Sequence, residues 1–320
     1  MRSSMIMLIF VALLVVLLTS CASRQSAGMA MPAKSYRQIL QRQRSLQAER
    51  QTTLKELPEM TAADYGIAGD NHLRLGNLTA AFIQYDKALR LDPSMVHIRY
   101  KKAYLLLQRR LIQSAIQEFE SVLKDHPDYF LAYEGLGQAH LFKSELKTAE
   151  TYLKKAISLN DQLWKSYNFL GIIYDKRQDY NKAISFYKKA IEISPKESIL
   201  YNNIGISLYR NQDFEKASEN FKKALQYDAS NKKIYNNLGM ALANMGHYED
   251  AIKTFTKSGG LAKAYNNIGV IYLKKGMYKK AVPAFEKAIE LNPNFYTKAN
   301  ENLILTRQML NSTFDTSTSR

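Results

Sequence analysis

Three asparagine pairs, Asn202-Asn203, Asn236-Asn237 and Asn266-Asn267, are the residues of this chain best equipped for recognition chemistry. A carboxamide offers two N–H donors and a carbonyl acceptor, so a stack of such pairs can satisfy the backbone of another polypeptide whatever its sequence. Lys233 and Lys263 each stand three residues ahead of a pair, where an ammonium can meet an acidic side chain or a terminal carboxylate. The other candidate is Cys21, the single cysteine of the chain, whose thiol can serve as a nucleophile. One cysteine excludes an internal disulfide and a cysteine-rich zinc site. The five histidines, His72, His97, His126, His140 and His247, are scattered, and none belongs to a metal-binding H-E-x-x-H motif. There is no phosphate loop, no G-x-S-x-G and no dinucleotide fingerprint. These residues predict the binding of a protein, with no enzyme activity, no cofactor, no metal and no small-molecule substrate.

The elements that must position the pairs are written as a repeat. The phrase Tyr201-Asn202-Asn203-Ile204-Gly205 returns with little change at 235–239 and 265–269. Gly171, Gly205 and Gly239 are spaced by 34 residues, and the series extends back to Gly137, Ala103 and Gly69 and forward, by a shortened step of 30, to Gly269. Twelve residues after each of these lies an alanine: Ala81, Ala115, Ala149, Ala183, Ala217, Ala251 and Ala281. Four residues further comes a bulky side chain: Tyr85, Phe119, Leu153, Tyr187, Phe221, Phe255 or Phe285. In the fourth unit Tyr167, Leu170, Gly171 and Tyr174 fall at i, i+3, i+4 and i+7 and mark the packing face of one helix; Ala183, Tyr187 and Ala190 mark that of a second. Glycine and alanine let the two helices approach closely, and the ring fills the groove left between them. Turn-forming triplets such as Arg177-Gln178-Asp179, Asn211-Gln212-Asp213 and Met245-Gly246-His247 separate the helices.

This register resembles the tetratricopeptide repeat, and seven copies in step make the match highly specific. The units are 62–95, 96–129, 130–163, 164–197, 198–231, 232–261 and 262–295. The resemblance implies an all-α fold, a right-handed superhelical solenoid of helix-turn-helix units in which each unit buries its apolar face against its neighbours. It also implies that a second stripe on each first helix lines a concave groove. That stripe holds Ile199, Asn202, Asn203, Ile206 and Arg210 in the fifth unit, Lys233, Asn236, Asn237, Met240 and Asn244 in the sixth, and Lys263, Asn266, Asn267, Val270 and Lys274 in the seventh. The amides there have two readings: contact with an extended peptide, with Asn203, Asn237 and Asn267 foremost, or bonds that hold neighbouring helices together. Tyr167, Tyr201, Tyr235, Tyr265 and Trp164 read as packing residues.

Several departures from the pattern carry expectations of their own. In the second unit Arg99 replaces the usual aromatic and the Arg109-Arg110 turn lacks glycine, so the first two units are the least regular. Gly259-Gly260 stands where a helix end and a proline are usual, with four residues missing, and predicts an early stop to the second helix of the sixth unit. Pro283 falls inside the second helix of the seventh, where a lost backbone donor favours a bend. Residues 296–310, with Leu303, Ile304, Met309 and Leu310, read as a helix capping the last unit; 311–320 read as a disordered tail.

Ahead of the repeats, Arg2 precedes an apolar run from Met5 to Leu18, long enough for a signal-peptide core and too short to span a bilayer comfortably. Leu18-Thr19-Ser20-Cys21 resembles the bacterial lipobox, which implies lipidation of Cys21, removal of 1–20 and a membrane anchor; the alternative is an ordinary secretory leader with an incidental cysteine. By that resemblance Ala22, in place of an aspartate that retains enteric lipoproteins at the inner membrane, implies the periplasmic face of the outer membrane. Residues 21–61 read as the lipidated N-terminus and a polar linker, within which Ile39, Leu40, Leu46, Leu54 and Leu57 could line one helix. The net charge of +16 invites nucleic acid or anionic lipid, but the lysines are spread in pairs such as Lys188-Lys189 and Lys222-Lys223, the pattern of solvated faces, and no nucleic acid is expected. A lipobox ahead of such an array resembles pilus-assembly lipoproteins, and the run from Ser258 to Gly269 resembles the corresponding segment of the Tad (Flp) pilus lipoproteins. The resemblance implies a scaffold for a pilus or secretion complex whose partner is a secretin or another pilus-assembly component. The alternative is an adaptor that recruits a periplasmic protease or peptidoglycan hydrolase.

Overall fold

The structure, a computed structural model, describes residues 41–42, 44–45, 59–293 and 296–318, with the backbone alone for 296 and 312–318. The leader, Cys21 and the apolar linker positions Ile39, Leu40, Leu46, Leu54 and Leu57 lie outside the described residues; 41–42 and 44–45 are helical and exposed.

From Thr61 onward fifteen helices follow one another, and no strand occurs among the described residues. They are α1 (Ala62–Arg74), α2 (Leu78–Leu91), α3 (Val96–Gln108), α4 (Ile112–Asp125), α5 (Phe130–Phe142), α6 (Leu146–Leu159), α7 (Trp164–Lys176), α8 (Tyr180–Ile193), α9 (Ser198–Arg210), α10 (Phe214–Tyr227), α11 (Lys232–Asn244), α12 (Tyr248–Gly259), α13 (Leu261–Lys274), α14 (Tyr278–Leu291) and α15 (Tyr296–Thr318). Each helix packs on the next, and the first helices of successive pairs also touch. The core is therefore a continuous seam of pair-to-pair contacts instead of one central cluster.

Two features of the sequence build each pair. The seven alanines from Ala81 to Ala281 are wholly buried, and the bulky residues four positions on, from Tyr85 to Phe285, are at most 1% exposed. The glycines of the first helices make room for those rings: a Cβ on Gly205 would lie 2.6 Å from the ring of Phe221, and one on Gly171 would lie 2.4 Å from that of Tyr187. The absent methyl therefore accommodates a side chain, where the sequence pattern had suggested an approach of two backbones. The second feature is the turn. At all seven the middle residue is left-handed, with Gly76, Arg110, Ser144, Gln178, Gln212, Gly246 and Gly276 at φ between 62° and 87°. In the fifth pair the N–H of Gln212 donates to Tyr209 O at 3.1 Å and that of Asp213 to Leu208 O at 3.0 Å, closing α9. The Asp213 carboxylate then accepts from the backbone N–H of Lys216 at 3.2 Å and opens α10. Three residues thus end one helix and start the next.

The backbone is more even than the sequence suggests. Helices α1 to α4 have the same 13 and 14 residues as their later counterparts. Arg99 keeps a place at its junction by donating to Pro93 O at 2.7 Å and to the Ser121 hydroxyl. The shortened junction is confirmed in detail: α12 has 12 residues where α10 has 14, and α13 has 14 where α11 has 13. Between α12 and α13 only Gly260 remains, at φ 85° and ψ 170°, a region open essentially to glycine. Pro283 sits on the exposed side of α14, which continues to Leu291.

The C-terminal end differs from expectation. Helix α15 runs through 311–318, the stretch read as a disordered tail, because nothing from 296 to 320 is a glycine or proline that would stop it. Leu303 packs with Ala281 and Phe285 as a cap should, whereas Ile304 and Met309 are about half exposed, at 50% and 43%. Among the described residues no helix is long and apolar enough to cross a membrane.

Candidate protein-binding groove

The asparagines lie where neighbouring first helices meet, and they bond to one another. Asn203 Nδ2 donates to Asn168 Oδ1 at 2.9 Å, Asn237 Nδ2 to Asn202 Oδ1 at 3.0 Å, and Asn267 Nδ2 to Asn236 Oδ1 at 3.0 Å. The second amide of each pair thus reaches back to the first amide of the preceding unit and joins α7, α9, α11 and α13. Asn244 extends the same face by donating to Tyr209 Oη at 2.9 Å. At the far end Asn266 is 6% exposed and its Oδ1 has no donor. Thirty-four residues after Asn267 stands Glu301, a side chain with no N–H to give.

These bonds occupy only part of each amide's capacity, and the face around them is concave. One depression of about 420 Å³ is lined by Asn202, Ile206, Lys232, Lys233, Asn236, Asn237, Ser258 and Lys263. A second of about 370 Å³, sharing Ile206, Asn236 and Asn237 with it, continues past Tyr209, Arg210, Phe221 and Met240. The lining contains three lysines and an arginine and no carboxylate, so the joined depression attracts anionic groups. Apolar Ile206 and Met240 supply contact surface beside the amides.

Of the residues singled out in the sequence, Asn202, Asn236, Asn237, Lys233 and Lys263 come together in this depression, with Ile206, Arg210 and Met240. Asn203 and Asn267 belong to the amide ladder beside it. Lys232 and Ser258 also line it and escaped notice, Ser258 because it occupies the small packing position of its helix. Lysines read as solvated do more than cover the surface. The Nζ of Lys189 lies 5.9 Å from the ring centre of Tyr167, that of Lys223 4.7 Å from Tyr201 and that of Lys257 5.5 Å from Tyr235. A constant offset of 22 residues relates each pair and would have revealed them.

Acids serve the seams of the first four units. Asp70 accepts from Lys101 at 2.7 Å and from the Tyr85 hydroxyl at 2.7 Å. Glu134, 8% exposed, accepts from Ser166 Oγ at 2.7 Å, and burial pushes its carboxyl above the usual carboxylate range. Glu150 is the opposite case: burial works against its charge, but hydrogen bonds from Lys154, Tyr174 and Arg177 hold it at about 2. Asp175, 8% exposed, accepts from Tyr187 Oη and from Ser207 Oγ, each at 2.7 Å.

An amide-laddered groove on stacked helical pairs defines a protein-interaction repeat. The chain is a tetratricopeptide repeat protein: sequence profiles described as tetratricopeptide repeat match residues 65–95, 100–164, 164–197 and 262–295, and one described as TPR repeat matches 208–246. The fold is typically a non-enzymatic interaction scaffold. Tetratricopeptide repeat protein 37 of Xenopus laevis is 28% identical over 102 residues, which are 32% of this chain and 6% of that protein. A tetratricopeptide repeat protein from Parabacteroides merdae superposes with a TM-score of 0.52 at 18% identity, over 77% of this chain and 98% of its own. The APC/C hetero-tetramer Cut9–Hcn1 contains a chain that superposes with a TM-score of 0.58 at 18% identity, over 79% of this chain and 50% of its own. At that identity the two structural likenesses are of fold.

Proposed function

We propose that this protein is a lipid-anchored scaffold that grips an extended segment of a partner protein in the groove of its last three repeats and supports assembly of a pilus or secretion complex in the bacterial envelope. The observation that carries the reading is the joined depression between α9, α11 and α13, where amides with unused hydrogen-bonding capacity stand beside Lys233 and Lys263 and no carboxylate competes for them. The amides suit a main chain of any sequence, and the lysines suit an acidic side chain or a terminal carboxylate. The anchor is supported by the apolar leader and the Leu18-Thr19-Ser20-Cys21 sequence, since several acyl chains hold a protein at a bilayer essentially permanently. Outer-membrane placement and a secretin or pilus component as partner rest on the resemblance of the leader and of the run from Ser258 to Gly269.

A photo-cross-linking residue at Met240, in full-length chain expressed in cells, tests the groove against one at Glu219 on the exposed face of α10. Adducts to a secretin or pilus component from Met240 alone support the reading; equal adducts from both positions overturn it. Cys21→Ala should move the chain from the membrane to the soluble fraction, and an unchanged distribution overturns the anchor.

A further inference from the structure

The groove face changes character along the array. The positions held by Asn202 and Ile206 in the fifth repeat are held by Tyr100 and Tyr104 in the second and by Glu134 and Gln138 in the third. Tyr100 stacks near Tyr104, with ring centres 6.3 Å apart, and meets Tyr129 at 5.6 Å. Tyr100 on α3 and Glu134 on α5 hold the same position on neighbouring first helices, which pack together. Glu134 itself is 8% exposed and accepts from a neutral hydroxyl, Ser166 Oγ. The positive charge in its surroundings comes from Lys165, on an exposed side chain whose Nζ lies toward the Trp164 ring. Asp70, the other acid of this face, is already neutralised by Lys101. A carboxylate nearly withdrawn from water beside electron-rich ring faces favours a cation.

We propose that the groove takes one partner segment with two charges of opposite sign: a lysine or arginine against Glu134, Tyr100 and Tyr104, and acidic residues against Lys233 and Lys263. This rests on the groove being a peptide site at all and specifies what that site reads. Three repeats separate α5 from α11; at about 8–10 Å between neighbouring helices and about 3.3 Å per extended residue, the two charges stand about eight residues apart in the partner. A segment with the charges closer together, or with one sign only, satisfies one end of the groove.

The test uses the full chain and fluorescein-labelled peptides of polar sequence carrying two aspartates and, about eight residues away in either chain order, one arginine. Exchanging that arginine for glutamine should weaken binding roughly tenfold, or about 1.4 kcal/mol. Glu134→Gln should weaken the arginine peptide by the same factor, leave the glutamine peptide unchanged and not lower the melting temperature. Lys233→Ala combined with Lys263→Ala should weaken only peptides that carry the aspartates. If Glu134→Gln affects both peptides equally, or neither, the cationic subsite is wrong while the groove stands. If no peptide binds at any charge pattern, the groove falls with it.

Discussion

Repeats four to seven and repeats one to three share a backbone and differ in what joins their first helices. In the later half one device recurs three times, an asparagine donating to an asparagine of the preceding repeat at 2.9 to 3.0 Å, with Ser207–Asp175 and Asn244–Tyr209 beside it. In the earlier half each join is separate, Asp70 with Lys101 and Glu134 with Ser166, and the second helix α6 adds Glu150, which meets Tyr174 and Arg177 at the end of α7. The buried alanines and the rings opposite them are the same in both halves. Packing of small residue against ring sets the fold, and the groove face is free to carry whichever chemistry the partner requires. Neutral amides are indifferent to pH; carboxylates are not.

The comparison can be broken first at the packing. Ala217→Leu and its counterpart Ala115→Leu should each cost about 1–3 kcal/mol by overfilling an equivalent space; melting curves in which one variant is unaffected would show that the halves are packed differently. Glu150→Gln comes next, at about 1–2 kcal/mol for lost charge-assisted bonds. Because Glu150 is held at about 2, below its ordinary 4.5, its contribution is complete above about 4.5 and disappears as pH falls toward 2. The stability gap between wild type and variant should close over that window. Asn237→Ala should cost about 0.5–1.5 kcal/mol with no such pH dependence, and a pH-dependent loss would contradict the contrast between the halves.

Two smaller changes should act in the opposite sense. Burial raises the carboxyl of Glu134, so its stabilisation is full below the ordinary carboxylate range and is lost as pH rises through its elevated value. Glu134→Gln keeps an acceptor for Ser166 and should raise the melting temperature at pH 7; a lower one would mean that the charge itself is needed for folding. Gln212→Gly should gain about 0.5–1 kcal/mol by relieving a left-handed side-chain residue at φ 63°. The same exchange at Gln178, at φ 64°, should match it.

Most of the scaffold was legible because it depends on single positions that recur. A glycine and a ring 16 residues later, Gly205 and Phe221, must meet for the pair to close, and such a requirement leaves a trace in every copy. The groove lining was legible for the same reason, since Ile206, Asn236, Lys233 and Lys263 sit on one stripe. Pairwise chemistry was less visible. Asn203 meets Asn168 at a separation of 35, one more than the repeat, so inspection of aligned columns does not reveal the bond. Gln178 and Gln212 hide left-handed turns behind residues that do not demand them. Polar composition over 311–320 suggests disorder, but 311–318 contain nothing that interrupts a helix, and α15 runs on through them.

The offset of that amide bond gives the later repeats a direction. Every Asn203-type residue gives toward the N-terminus, and Asn168, Asn202 and Asn236 each receive from the C-terminal side, so one copy presents what the next needs. A duplicated fifth repeat would insert between its neighbours with its amide joins intact and lengthen the binding face by a whole unit. An extra copy of the second or third repeat would have no matching partner for its acid or its lysine, and so this half of the molecule cannot grow by copying.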